Sequence, residues 1–368
     1  MARKPMTSRE RMLTALNIGV PDRLPVTIHQ WQDYHLKTFM NGMSDVEAFR
    51  AVGLDAAITI WDANEGKTTS QWQVEETKTK IGPDQWITDY TITTPEGVLT
   101  QKDESNEYTT WTVEFIIKHP EDMLLIKKYL PVPTLIHQIV HQKKEELGDG
   151  GILRELVFGE QAGPWQHAAC LLGVEPLILA TYDDPAWVHE LLASLTEKKL
   201  RFIEESLAVA EFDLIEMGGG AASSTVISPK IFNEFCLPYD KQLHEAIHQV
   251  GHKVVYHTCG GMMPILDLIV ENVCDASETL SPPGVGGDVV PEEIKHLIGG
   301  KVCLIGGMDQ INILTNGTPT QVRSETRRLS EILGPGGGFI LSASDHFFHA
   351  PIENLRAYAE AAHEFVYD

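Results

Sequence analysis

The stretch Val254-Val255-Tyr256-His257-Thr258-Cys259-Gly260-Gly261 indicates the end of a buried strand in a 368-residue chain. Its apolar and aromatic residues favour an extended, buried segment, and the paired glycines end that segment. Side chains two positions apart on a strand point to the same side, so His257 and Cys259 can converge on one point. An imidazole nitrogen and a thiolate sulfur suit Zn²⁺, which accepts both kinds of ligand. The alternative is a buried histidine and cysteine that only pack, because two ligands do not complete a metal site.

Short apolar strands alternate with amphipathic helices around this stretch. The predicted strands are 155–159, 212–217, 253–258, 276–280, 302–306 and 338–342. The predicted helices are 176–208 with a break at 183–185, 229–250, 262–272, 291–298, 319–333 and 351–366. Several of these helices, including those at 229–250, 319–333 and 351–366, have proline at their first position, where its missing N–H costs nothing. This alternation predicts a parallel sheet with right-handed crossovers.

The first part of the chain adds two predicted strands and one region with a different sequence pattern. Segments 23–29 and 56–61 read as strands, after a helix at 7–18. Together with the six later strands they make eight, which predicts an α/β fold of the (β/α)8 TIM barrel type. An open, doubly wound sheet is the alternative. Residues 65–118 alternate β-forming and polar residues, so we expect an antiparallel β insertion within one barrel domain spanning 1–368.

Composition restricts the classes of function. The chain has 52 acidic and 29 basic residues and a net charge of -23, which argues against nucleic acid and anionic membranes as partners. The 5 cysteines are scattered and do not resemble a disulfide framework. The start of the chain lacks the apolar region of a signal peptide, and no apolar run approaches the roughly 20 residues of a membrane span. We expect a soluble, cytoplasmic protein.

Polar side chains follow nearly every predicted strand, and barrel enzymes place their chemistry at those ends. Glu216, Glu278 and His346 are candidate catalytic residues, and Asp345 and His346 are candidate further metal ligands beside His257 and Cys259. Candidates for contact with substrate are His29, Glu160, Gln161, Trp165 and Asp309. The two glutamates should face the substrate and stay ionised near a cation. The alternative for each residue alone is an ordinary solvated side chain.

Several motifs resemble those of the uroporphyrinogen decarboxylase superfamily, in the same order along the chain. These are Arg9-Glu10-Arg11-Met12-Leu13, Pro21-Asp22-Arg23-Leu24-Pro25-Val26, Ile227-Ser228-Pro229, Leu237-Pro238-Tyr239, His257-Thr258-Cys259-Gly260, Gly306-Gly307-Met308-Asp309, Asn316-Gly317-Thr318-Pro319, Gly337-Gly338-Phe339-Ile340-Leu341 and Pro351-Ile352-Glu353-Asn354. The resemblance covers nearly the whole chain and implies a (β/α)8 barrel.

The branches of this superfamily differ in chemistry. The arginine-rich motif of the metal-free decarboxylases is absent from the matching region, which here reads Thr27-Ile28-His29-Gln30-Trp31-Gln32-Asp33-Tyr34. The H-x-C-G motif instead resembles the corrinoid-linked methyltransferases, of the methylcobamide:coenzyme M type or the demethylating type. That resemblance implies zinc bound by His257 and Cys259, and cobalamin supplied by a partner corrinoid protein.

The chain departs from this branch at the second zinc-binding cysteine, whose position falls at about Ser344. Either Asp345 or His346 replaces that thiolate, Glu216 reaches across, or the metal is absent. A set with fewer thiolates would suit activation of an oxygen, and hence removal of a methyl group from a substrate. A metal-free decarboxylase and a non-catalytic small-molecule-binding barrel remain the alternatives. A homodimer is one alternative for the oligomeric state.

Overall fold

Seven parallel strands form one curved sheet in the computed structural model, which describes residues 4–61, 63–159 and 163–368. In sheet order, which is also chain order, the strands are Ala56–Thr59, Gly151–Leu156, Leu214–Gly218, Val254–His257, Ala276–Thr279, Cys303–Met308 and Phe339–Ala343. Nearly every residue of these strands is buried, as expected for parallel strands covered on both faces. Every neighbouring pair is parallel, as the alternation of strands and helices predicted.

An extended segment around Val26 joins the two edges of this sheet. Val26 pairs in parallel with Leu341, and the Thr27 N–H donates to the Leu341 carbonyl at 2.8 Å. On its other side, the Val26 carbonyl accepts from the Asp55 N–H at 2.8 Å. This segment therefore occupies the first strand position and closes the sheet, which confirms the predicted (β/α)8 barrel.

Helices surround the barrel, with some bounds that differ from the predicted ones. They are Ser8–Leu16, Asp33–Phe39, Asp45–Val52, Asp122–Tyr129, His137–Leu147, Pro164–Leu172, Val174–Asp183, Pro185–Glu205, Pro229–Ile231, Leu237–Gln249, Leu266–Glu271, Pro291–Ile298, Pro319–Leu333 and Ile352–His363. The helix predicted at 229–250 is interrupted by a π-helical turn, Phe232–Cys236. Pro238 explains this interruption, because proline lacks an N–H and clashes with the carbonyl of the preceding turn.

The helix Ser8–Leu16 closes the N-terminal end of the barrel. Its residues Met12, Ala15 and Leu16 are almost fully buried. They pack in one apolar cluster with inward-facing strand residues, namely Ala57, Ile152, Leu214, Val255, Ala276, Cys303, Ile305 and Ile340. Polar inward-facing side chains are consequently found further along the strands, toward their C-terminal ends.

The N-terminal motifs, which include Arg11 and Arg23, stabilise the closure of the barrel and do not contribute to its mouth. The buried Asp55 carboxylate accepts from Arg11 at 2.7 Å, from Arg23 at 2.9 Å and from the Val26 N–H at 3.0 Å. Arg11 also pairs with Asp22 at 2.7 Å. These bonds hold the first strand position against the next strand, so we assign these motif residues to barrel closure.

The predicted antiparallel insertion is a four-stranded sheet formed by Gln73–Gly82, Gln85–Thr94, Gly97–Asn106 and Thr110–Glu114. The turn before its last strand carries Tyr108 to the barrel mouth. The Tyr108 ring lies 4.7 Å from that of Tyr34 and 5.2 Å from that of Phe348, measured between ring centroids. A smaller antiparallel pair joins Asn64–Glu65 to Thr134–Leu135. Among the described helices, none combines the length and apolar character needed to cross a membrane.

Candidate functional site

A buried ionic cluster lies inside the barrel, centred on Arg154. One guanidinium nitrogen, Nη2, donates to Glu216 Oε2 at 2.7 Å and to Glu278 Oε1 at 2.8 Å. All three residues are only 2% exposed. They come from three different strands and face inward, which places two carboxylates and one cation in a space without water access. Burial of this kind is tolerated only when the charges are paired.

His257 lies against the same carboxylates. Its Nδ1 is 3.0 Å from Glu278 Oε1 and 3.6 Å from Glu216 Oε1. The strand register explains this proximity, because His257 pairs directly with Glu278 on the neighbouring strand. The Nε2 atom of His257 is buried and has no hydrogen-bond partner within the described ranges. The carboxylate thus orients the ring through Nδ1, and Nε2 is the atom that would bind a metal ion, which would displace its proton.

The pKa values of the two glutamates in this cluster shift in opposite directions. Burial and the neighbouring charge of Glu278 raise the pKa of Glu216. Burial alone would also raise the pKa of Glu278, but the charge of Arg154 and the contact with His257 hold it well below its ordinary value. Burial would lower the pKa of His257, yet the neighbouring Cys259 and Glu278 raise it well above 6.5. Glu278 is therefore the ionised partner that supports the imidazole.

Three potential ligand atoms converge at the end of the strand Val254–His257. One atom each from His257, Cys259 and Asp345 lies within 4.8 Å of the others. The half-buried Cys259 thiol contacts His257, as the i, i+2 spacing predicted. Gly220 makes room for it, because a Cβ at that position would be 2.7 Å from the sulfur. Nitrogen, sulfur and carboxylate oxygen at this spacing fit a tetrahedral Zn²⁺ with an open position.

A second group of potential ligands lies deeper and comprises His29, Glu216, His257 and Glu278, also within 4.8 Å of one another. Arg154 already bonds to both glutamates there, and His257 lies against them, so their oxygens are less available to a metal ion. The set formed by His257, Cys259 and Asp345 is consequently the better candidate metal site.

Ser344 stands at about the position where the resembling methyltransferases have their second zinc-binding cysteine, and it does not take over the role of that cysteine. The Ser344 hydroxyl donates to the Met308 carbonyl at 2.9 Å and is fully buried, so its hydrogen-bonding capacity is used by the backbone. Asp345 joins the potential ligand group. His346 lies beside it, with Nδ1 3.4 Å from Asp345 Oδ1, and lines a cavity at the barrel mouth. Its ring centroid is 5.1 Å from that of His29.

The other predicted substrate contacts have separate positions. Asp309 accepts from the Ile311 and Asn312 N–H groups and caps the π-helical segment Gln310–Thr315. Trp165 is 1% exposed, and its Nε1 donates to the Ala221 carbonyl at 3.0 Å. Both side chains therefore fix loops near the site and are outside the lining of the mouth cavity. Glu160 and Gln161 lie outside the described residues.

Two residues were missed from the sequence, Arg154 and Glu155. The strand predicted at 155–159 is Gly151–Leu156, so both fall within it. The predicted strand began at Glu155, one residue after Arg154, and the Arg154 side chain points into the barrel and joins the ionic cluster. The available signal was the apolar run on both sides, Ile152-Leu153 and Leu156-Val157-Phe158, which marks the charged pair as buried.

Comparison with known proteins agrees with this fold. The family model described as Uroporphyrinogen decarboxylase (URO-D) matches residues 82–365, and the chain therefore belongs to that family. A methylated-thiol–coenzyme M methyltransferase of Methanosarcina mazei is 28% identical over 202 residues, which cover 55% of this chain and 51% of the relative. A methylcobamide:CoM methyltransferase of Methanosarcina acetivorans is 25% identical over 270 residues, covering 69% of this chain and 71% of the relative.

The alignment to the Methanosarcina mazei relative thus spans about half of that protein's length. A solved structure, described as a methyltransferase from Methanosarcina mazei, superposes with a TM-score of 0.69 at 18% identity. That superposition covers 98% of this chain and 99% of the other. At this identity the likeness concerns the fold, and it extends over the entire barrel and its insertion.

Proposed function

We propose that the protein is a zinc-dependent methyltransferase that moves a methyl group between a small substrate and a corrinoid protein. The observation that carries this proposal is the convergence of His257, Cys259 and Asp345 on one point at the barrel mouth. The similarity to two methyltransferases of methanogens supports it. A bound zinc supplies Lewis acidity, which lowers the pKa of a coordinated thiol or hydroxyl or polarises an ether oxygen.

The residues of the site have separable tasks under this proposal. His257, Cys259 and Asp345 hold the metal, and Glu278 orients the His257 ring through Nδ1. Arg154 keeps Glu278 ionised and bonds to both carboxylates. His346 faces the cavity, where its ring can exchange a proton with substrate. A set with one thiolate suits activation of an oxygen, so we propose the substrate-demethylating direction.

The metal-free decarboxylase alternative has less support from this geometry. A decarboxylase acting on a polycarboxylated substrate needs cations directed at that substrate. Arg154 lies inside the barrel near the site, and both Glu216 and Glu278 already occupy its guanidinium. A binding barrel without catalysis would leave the convergent ligand atoms unexplained.

Methyl transfer can be followed by the absorption spectrum of the corrinoid. Mixed with cob(I)alamin and a methyl ether, thiol or amine, the zinc-loaded protein should produce methylcobalamin with at least one donor class. Its net charge of -23 should make the rate with a basic-surfaced corrinoid protein fall as salt is added. Absence of conversion with every donor class, together with decarboxylation of a porphyrinogen, would place the protein in the other branch.

Replacement of Glu278 by glutamine should weaken zinc binding about 10- to 100-fold, because carboxylates that orient a ligating histidine contribute on that scale. Competition with a chromophoric chelator measures this affinity. Glu216→Gln is the matched control, since its nearer oxygen is 3.6 Å from His257 and makes no hydrogen bond to it. Equal losses in the two variants would contradict the assigned role of Glu278.

A further inference from the structure

The strand Ala276–Thr279 ends in a backbone conformation that residues with a Cβ rarely adopt. Directly after Glu278, Thr279 has a φ of 84° and Leu280 has a φ of 45°. A positive φ is an outlier for a β-branched residue such as threonine, because its Cβ crowds the backbone. Such strain persists only where the surroundings hold the residue in place, and it is concentrated at functional sites. Thr279 is therefore a candidate for a role in the neighbouring site.

The barrel holds Thr279 in this conformation from two sides. Thr279 is 3% exposed and pairs with Gly306 on the next strand. A Cβ at Gly306 would lie 2.1 Å from the Thr279 carbonyl oxygen, so only glycine leaves room for that carbonyl. On the other side, the Thr279 hydroxyl donates to the carbonyl of the fully buried Thr258 at 2.6 Å. The strained residue is thus fixed between its two neighbouring strands.

The hydroxyl of Thr279 bonds to the backbone between two potential metal ligands. Thr258 stands between His257 and Cys259, and its carbonyl belongs to the peptide group that leads into Cys259. The pairing of the two strands extends to His257 and Glu278, and beyond this pair the Thr279 side chain continues the connection. A peptide group is planar, so the direction of the Thr258 carbonyl constrains the direction in which the Cys259 side chain leaves the backbone.

The loop that follows Thr279 returns to the same turn, residues 258–263. Its Asp288 accepts through Oδ1 from the Met262 N–H at 2.7 Å. One loop therefore holds the turn on both sides of Cys259, through a hydroxyl before the thiol and a carboxylate after it. Hydrogen bonds of this kind keep ligand atoms at the spacing that a metal ion requires.

We propose that Thr279 is a positioning residue for the metal site, where its hydroxyl, held by a strained backbone, fixes the chain between His257 and Cys259. This inference rests on the proposed function in taking these two residues as zinc ligands. A substitution that relieves the strain and removes the hydroxyl makes the backbone more stable and the thiolate less well placed. Metal affinity and stability should therefore change independently when position 279 is varied.

Two variants that differ by a single Cβ separate the strain from the hydroxyl. Thr279→Ala and Thr279→Gly both lack the hydroxyl, and both should lose about tenfold in zinc affinity by competition with a chromophoric chelator, the scale on which groups that orient ligands contribute. After removal of zinc, Thr279→Gly should melt about 1–2 °C higher than Thr279→Ala, because glycine adopts positive φ without strain. Thr279→Ser keeps the hydroxyl and should bind zinc within about threefold of the native protein.

Two further measurements report the position of the turn itself. Hydrogen exchange of residues 258–263 in the metal-free protein should accelerate in Thr279→Ala and return to the native rate in Thr279→Ser. With Co²⁺ in place of zinc, the thiolate-to-metal charge-transfer absorption should weaken in Thr279→Ala and recover in Thr279→Ser. Val273→Gly is the control, because Val273 also has a positive φ, 55°, and precedes the same strand at its other end. It should leave zinc affinity and exchange of the turn unchanged.

The outcomes distinguish this role from the proposed function. Native zinc affinity in Thr279→Ala, or no recovery in Thr279→Ser, would overturn the positioning role and leave the metal site and methyl transfer standing. Weaker zinc binding and faster exchange as expected, without methyl transfer from any donor, would refute the proposed function and support the role of Thr279. A native protein that binds no zinc would refute both.

Discussion

Replacement of Arg154 by glutamine should lower the free energy of unfolding by about 3–5 kcal/mol, the usual cost of removing one partner from a buried ionic cluster. The Arg154 side chain is 2% exposed and donates to both Glu216 and Glu278. Without the guanidinium, two carboxylates would remain together in the barrel interior with no cation beside them except His257. Urea-induced unfolding followed by tryptophan fluorescence measures this loss.

A second substitution tests the cause of this destabilisation. Glu216→Gln in the Arg154→Gln background removes one of the unbalanced charges, so the double variant should be more stable than Arg154→Gln alone. Arg327→Gln is the matched surface control, because Arg327 is 51% exposed and pairs with Glu364. Such exposed pairs contribute about 0.2–1 kcal/mol. A loss at Arg154 no larger than that at Arg327 would contradict the buried-cluster assignment.

The architecture was predictable because its signals are local. A parallel strand covered on both faces is a short apolar run, and Val254–His257 shows this in its sequence and its burial. The position of the candidate site could be proposed from the sequence for a related reason. The ends of parallel strands meet at one mouth, and the alternation of side chains brings His257 and Cys259 together. The antiparallel insertion was also predictable from its alternating β-forming residues, and the structure gives it four strands.

The missing parts of the site depend on contacts between distant strands. Arg154 is understood only when the register places Glu216 and Glu278 around it, and no local pattern gives that register. Asp309 follows a strand as a functional residue would, but the N–H groups beyond it make it a helix cap. The packing around Ser344 likewise decides that its hydroxyl bonds to the Met308 carbonyl rather than to a ligand.

Replacement of Cys259 by alanine should reduce bound zinc from about one per chain to nearly none, because two remaining protein ligands do not make a zinc site. Its sulfur is the only thiolate candidate in the potential ligand groups of the described residues. Elemental analysis of protein purified without a histidine tag measures the metal. The same substitution should abolish methyl transfer.

Two further variants distinguish lost ligation from damaged folding. Cys170→Ala removes another half-buried cysteine, outside the ligand group, and should leave the zinc content unchanged. Cys259→Asp keeps a metal-binding atom at the site and should recover part of the zinc, with weaker affinity because the soft thiolate is replaced by a carboxylate. Equally low zinc in the native protein and in Cys259→Ala would refute the metal site. The ionic cluster around Arg154 would then have to carry whatever chemistry the barrel mouth performs.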